Sequence, residues 1–219
     1  PVIREGESHA ILPFPPNSNY KSTISVGVFD GGVNIDNPYL APFVNEHNPV
    51  PTQKVEGFIS HGTGVTGAIL YGDLAKFKSS SVLPTPIINV DSYRVFPTSN
   101  PLDDDLYEAI DKIEEIVPKI KDKIKVFNLS FGPCGAIDDD NITRFTYALD
   151  ELSKKGDILF VIAVGNEGDL PLEELCRIQA PSDSVNNLGI GAYARNYDGK
   201  IERASYSSYG DGREGSKIK

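Results

Sequence analysis

Three histidines occur in the 219 residues of the chain, and one of them, His61, opens the stretch HGTGVTG. An imidazole takes up a proton near neutral pH and becomes a directed general base when a carboxylate holds its other nitrogen. Asp30 is a carboxylate in a suitable setting, since it ends the apolar run of VGVFDGG and precedes two glycines that allow a sharp turn. Asn166 follows ILFVIAV in the segment GNEG, and its amide is a donor suited to an oxyanion. An aspartate that sets a tautomer, a histidine that takes a proton and an amide that holds negative charge are three parts of an acyl-transfer site. Each is weak evidence alone, because aspartates commonly end strands and Gly-Asn-Glu-Gly also makes a plain turn. Their order along the chain gives them joint weight.

The same heptapeptide fits a second pattern. Gly62-x-Gly64-x-x-Gly67 matches a dinucleotide fingerprint, and Asp91 lies 24 residues beyond Gly67, where a ribose-binding acid would stand. Against it, VEGFIS before His61 is a poor strand with Gly57 inside, and the reading leaves Asp30 and Asn166 without a task. Phosphoryl transfer on Asp30 calls for a second carboxylate two residues on, where Gly32 stands instead. His9, His47 and His61 are scattered without metal-ligand spacing, so no metal centre is expected, and His9 and His47 read as loop histidines.

Such side chains need elements to position them. Apolar, β-branched runs at 23–29, 87–96, 125–130, 157–164 and 187–193 predict strands, several of them apolar on both parities as in sheets covered on both faces. LDDDLYEAIDKIEEI predicts a helix carrying Leu102, Leu106, Ala109, Ile110, Ile113 and Ile116 on one stripe, with Asp103 to Asp105 in its first turn and Pro118 to end or kink it. DDNITRFTYALDELSKKG predicts another, with an Asp or Asn cap and Gly156 as its stop. The small residues after His61 predict a helix running close against the sheet, with the histidine at its head. Strands alternating with helices imply an α/β domain with a doubly wound, mainly parallel sheet, whose sites lie at the carboxyl ends of strands. Residues 1–21, with four prolines, read as an irregular arm, and residues 22–219 as one domain.

The net charge of −10 disfavours nucleic acid as a partner, and the longest apolar run, seven residues, is too short to cross a membrane. Two cysteines, Cys134 and Cys176, make no disulfide framework and are expected to be free. A chain that starts at Pro1 and contains no methionine is expected to be a processed or internal piece.

In sequence order, VGVFDGGV, HGTGVTGAI, NLSFG and VIAVGNEG resemble the subtilisin-like serine peptidase family, and APSDSVNNLGIGAY and ASYSSYG extend the match over about residues 23–210. The resemblance implies a three-layer subtilisin-like fold and a serine endopeptidase acting on polypeptides, with Asp30 and His61 in the triad and Asn166 in the oxyanion hole. It further implies that Ser130, Phe131 and Gly132 offer backbone to an extended peptide. Ala163, Val164 and Gly165 would line the first specificity pocket, with Glu167 at its rim favouring basic side chains. No cofactor is required for such chemistry. Tyr39 stands where many members carry a calcium-binding aspartate, so calcium is not expected there. The family's nucleophile lies in a Gly-Thr-Ser-x-x-x-Pro segment downstream of ASYSSYG, a pattern that these residues do not contain. The nucleophile is therefore expected beyond Lys219, with the domain incomplete at its C-terminus and inactive as it stands. Ser130, Ser205, Ser207, Ser208 and Ser216 are not expected to replace it. The alternative is a non-catalytic relative that keeps the fold and binds a peptide or partner without cleaving it.

Overall fold

The computed structural model describes residues 12–17, 20–196 and 198–213. Six strands, β1 (Ser25–Asp30), β2 (Val44–His47), β3 (Asn89–Arg94), β4 (Val126–Leu129), β5 (Leu159–Ala163) and β6 (Leu188–Ile190), form one sheet in the order β2-β3-β1-β4-β5-β6. Every pairing in it is parallel. Three helices connect the strands: α1 (Glu56–Tyr71), α2 (Tyr107–Ile120) and α3 (Arg144–Gly156). A separate antiparallel hairpin, β7 (Tyr193–Arg195) with β8 (Ile201–Arg203), follows the sheet. The expected run at 187–193 thus divides between β6 and β7, and β2, with only four residues, went unforeseen.

Strand parity explains the layers. Phe29, Phe127, Leu129, Phe160 and Ile162 share one face and are buried with the apolar stripes of α2 and α3. Val28, Val44 and Val90 point to the other face, where Leu70, Val65 and Ile69 of α1 cover them. Helices on both faces satisfy a sheet whose strands are apolar on both parities. The fold is α/β and three-layered, as the resemblance implied.

An aromatic row runs across five strands on the α2–α3 side. The rings of His47, Tyr93, Phe29, Phe127 and Phe160 stand 4.5, 5.4, 5.7 and 5.4 Å apart in succession. His47 is therefore a strand residue at the sheet edge, stacked on Tyr93 and bonded through Nε2 to Asp91 at 2.9 Å, and not a loop histidine. Gly27 makes the row possible, because a Cβ there would lie 2.3 Å from the Phe127 ring.

The helix ends depart from expectation in instructive ways. α2 starts at Tyr107, because the Asp103 carboxylate accepts the N–H groups of Tyr107 and Glu108 at 2.9 and 3.0 Å. Leu106 precedes it in a left-handed conformation and Leu102 is exposed. Pro118 does not end the helix, since only its own missing donor is lost and Lys121 still donates to the Val117 carbonyl at 2.9 Å. α3 is capped by Thr143, whose hydroxyl accepts from the Thr146 N–H, and not by Asp or Asn. Of the acidic run ahead of it, Asp138 accepts from the Asp140 N–H in a turn and Asp139 pairs with Arg177. After Gly156, the left-handed residue is Asp157. Where the N-terminal arm is described, Phe14 bridges to Val82 and the Pro13 carbonyl accepts from the Tyr39 hydroxyl.

Gly27→Ala is expected to force the Phe127 ring out of the row and to destabilise the fold by about 1–3 kcal/mol, the usual cost of overpacking. Urea denaturation checks this as a lowered midpoint with an unchanged slope.

Candidate active site

The chain's strand order reverses at β1, which has β3 on one side and β4 on the other. A crevice opens beyond the carboxyl end of a strand at such a point. Asp30, 3% exposed, is the last residue of β1. His61 approaches it from α1, although not from the helix head. VEGFIS is helical from Glu56 onward, which puts His61 in the second turn. Phe58, which the sequence left in a doubtful strand, packs on Gly31, where a Cβ would sit 2.2 Å from its own.

Gly62 decides the approach. A Cβ at this position would lie 2.1 Å from the Gly32 carbonyl oxygen, so the helix backbone rests directly on the turn that follows Asp30. Gly64 and Gly67 have nothing within 4 Å of such a Cβ, so close packing explains only the first of the three glycines. All three lie inside α1 and not in a loop ahead of it. Their arrangement is not that of a phosphate cradle, in which the glycines precede the helix and leave their N–H groups to the ligand.

With the backbones in contact, His61 Nδ1 lies 3.0 and 2.9 Å from the two Asp30 carboxylate oxygens. The Gly31 N–H donates to Asp30 Oδ1 at 2.7 Å and fixes the carboxylate from behind. The hydrogen bond to Asp30 raises the His61 pKa, burial opposes it, and the charge of Asp30 adds to the rise. In neutral His61 the carboxylate selects the tautomer with the proton on Nδ1, which leaves Nε2 as the acceptor. Nε2 carries no hydrogen bond among the described residues.

The ends of β4 and β5 supply a pocket. Ser130, Phe131, Gly132, Ala163, Gly165 and Asn166 line it, together with Cys134, Glu167, Gln179 and Ala180. Seven of the residues drawn from the resemblance, Glu167 among them, thus meet in one cavity. Phe131 contributes little side chain, because its ring packs edge-on against Phe96 at 4.3 Å and it is 7% exposed. Val164 does not line the pocket. Its side chain is buried with Ile137, Ile178 and Ala180, its N–H donates to the Ile190 carbonyl and its carbonyl accepts from Gln179. Gly165 has φ +107°, and a Cβ there would strike the Gln179 side chain at 2.5 Å. Gln179 and Cys134 gave no signal of the pocket in the sequence, and Ala180 stood only as the first residue of the matched run APSDSVNNLGIGAY, without a role; folding brings all three to the pocket. Both cysteines are free, Cys134 exposed and Cys176 buried.

Three of the five serines weighed from the sequence have other partners. Ser207 is buried, accepting from the Ala192 N–H and donating to the Ser208 carbonyl, and Ser208 accepts from the Glu167 N–H. Ser130 donates to Asn128 Oδ1 at 3.0 Å, Ser205 lies in a turn, and Ser216 falls outside the described residues, as does His9. At Tyr39 the hydroxyl donates to the Pro13 carbonyl and the backbone carbonyl accepts from Tyr71, so this position offers no carboxylate to a cation. Among the described residues no group of three or more His, Cys, Asp or Glu could hold a metal ion.

Several solved structures resemble this one, among them two at a TM-score above 0.5. The prenylagaramide maturation protease PagA matches at a TM-score of 0.56 and 21% identity, covering 89% of this chain and 61% of its own. The PatG macrocyclase in complex with peptide matches at 0.51 and 14% identity, covering 88% and 63%. At these identities the likeness concerns the fold, and the chain spans under two thirds of the length of either. No curated protein matches the chain. The model of the Subtilase family (Peptidase S8) matches residues 21–218. With a strand-end aspartate bonded to a helix-borne histidine at the sheet's reversal point, and with a family match over nearly all of its length, the chain belongs to the subtilase family.

Proposed function

We propose that the protein is a serine endopeptidase in which His61 is the general base, Asp30 holds its tautomer and stabilises the imidazolium, and Asn166 donates to the oxyanion. The observation that carries the reading is the bond from His61 Nδ1 to both Asp30 oxygens, beside a pocket that gathers Asn166 with the ends of β4 and β5. In the proposed cycle Nε2 takes the proton of a serine hydroxyl as its oxygen attacks the peptide carbonyl. The proton then passes to the leaving amine, and water repeats the sequence on the acyl-enzyme. An Asn166 amide on the oxyanion would stabilise the transition state by ~2.7–4 kcal/mol, a magnitude taken from subtilisin, a member of this same family. No described serine is hydrogen-bonded to His61, so the proposal assigns the nucleophile to sequence following Lys219 and leaves residues 1–219 inert by themselves. The substrate is a polypeptide lying along Ser130–Gly132, with backbone pairing for affinity and the pocket for side-chain preference. The PatG macrocyclase, crystallised with a peptide, is consistent with that use of the fold.

Among the described residues, Glu167 is the one carboxylate lining the pocket, and no lysine or arginine lines it. Arg203, close to Gly168, spends Nη1 on the carbonyls of Ala204, Ser205 and Ser207 and stacks on Tyr209. The pocket is therefore proposed to prefer a cationic side chain at P1.

Fluorophosphonate labelling distinguishes this reading from a peptide-binding relative that does not cleave. The complete, processed polypeptide is expected to label, with His61→Ala weakening the reaction and residues 1–219 remaining unlabelled. A folded complete protein that never labels would support the binding relative instead. The pH profile is a second check. Activity needs neutral His61, and its pKa is raised, so the acid limb of kcat/KM should lie above the ordinary imidazole value of ~6.5. Asp30→Asn should move that limb to lower pH and reduce kcat by roughly 10⁴-fold. On a fluorogenic panel Glu167→Gln should erase a Lys-over-Phe preference, and equal wild-type rates for the two would remove the assignment.

A further inference from the structure

A buried guanidinium stands beside the site with no part in the chemistry so far. Arg94 ends β3 in register with Asp30 and is 4% exposed. An arginine carries five N–H donors in a fixed fork, and a buried one is costly unless they are met. Here all five are used. Nε donates to Asn48 Oδ1 at 2.8 Å, and Nη1 to Thr52 Oγ1 and the Phe96 carbonyl at 3.2 and 3.1 Å. Nη2 donates to the carbonyls of Val50 and Thr52, both at 2.8 Å. Four of the five acceptors belong to the loop 48–52, which leads from β2 into α1.

A second strap closes the same loop. Glu46, nearly buried, accepts from Lys54 Nζ at 2.5 Å, from Asn48 Nδ2 at 3.1 Å and from the Val33 N–H at 3.2 Å. Burial alone would push its carboxyl up, but the bonds from Lys54, Asn48 and Val33 outweigh it and hold Glu46 ionised below the usual range. Asn48 joins the two straps, accepting from Arg94 and donating to Glu46. The stem of Arg94 meets the turn after Asp30, its Cδ lying 3.2 Å from where a Gly32 Cβ would be. The network thus ties the loop that delivers α1 to the turn on which α1 rests.

We infer that Arg94 is a positioning residue for the Asp30–His61 pair, holding the loop 48–54 so that α1 meets Gly31–Gly32 at the height where His61 reaches Asp30. This rests on the reading of Asp30 and His61 as the acid–base pair. Misplacement of a catalytic group by about 1 Å can cost on the order of 100-fold in rate, so a remote anchor of this kind acts on kcat.

The test is an NMR titration of the imidazoles in the intact protein, which needs no turnover. With three histidines in the chain, a His61→Ala spectrum assigns the signal. Asp30→Asn is the reference and moves the His61 titration to lower pH; if it does not, the acid–base reading and the inference fall together. Arg94→Met should move the titration in the same direction, and Arg94→Lys should retain more of the wild-type value. Asn48→Ala, which cuts the link between the straps, carries the test if Arg94→Met does not fold. In the cleavage assay the same variants should lose kcat by roughly ten- to a hundredfold with KM little changed. A His61 titration unmoved in folded Arg94→Met or Asn48→Ala, while Asp30→Asn moves it, would overturn the inference and leave the acid–base reading standing.

Discussion

The contact between the backbone of α1 and the turn after β1 is the constraint on which the site depends. Gly62 has no Cβ, so the helix can settle onto the Gly32 carbonyl, and Gly31 makes room for Phe58 in the same way. Only at that distance can a histidine on the helix reach an aspartate on the strand. The hydrogen bond is short because two chain segments touch, and they touch because Gly62 and Gly31 leave the space. Any side chain large enough to lift α1 by an ångström would separate the pair while leaving the sheet intact.

The sheet supplies the other half of the constraint. Parallel strands buried on both faces form a stiff layer, and the aromatic row from His47 to Phe160 stiffens it across five of the six strands. Aromatic pairs contribute about 0.5–1.5 kcal/mol each beyond the area they bury. The carboxyl ends of β1, β4 and β5 are thereby fixed relative to one another, so that Asp30, Ser130 and Asn166 need no flexible segment to bring them close. At Arg94 every donor of a buried polar group finds an acceptor, and its five bonds hold the loop leading into α1.

In the sequence, residue types drew attention to rare groups in a fixed setting. His61, Asp30 and Asn166 stood out because each follows an apolar run or opens a run of small residues. One residue expected in the pocket falls outside it. Val164 looks like its neighbours in VIAVGNEG, yet alternation along the strand turns its side chain into the core, and β6 and Gln179 take up its backbone groups. Gln179 escaped notice because no local pattern marks a residue that arrives from elsewhere in the chain.

Periodicity and composition by themselves determined the α/β class, and motif order the family. These are properties of local sequence, in which apolar spacing and turn residues act over a few positions. The edge strand β2 and the place of His61 within α1 were decided only by tertiary structure. Val44–His47 becomes a strand because β3 offers it an edge. His61 sits in a second helical turn because Phe58 gains a packing site on Gly31 that VEGFIS could not reveal. In each case the deciding partner is distant in sequence, and a contact made across that distance leaves no trace in local spacing.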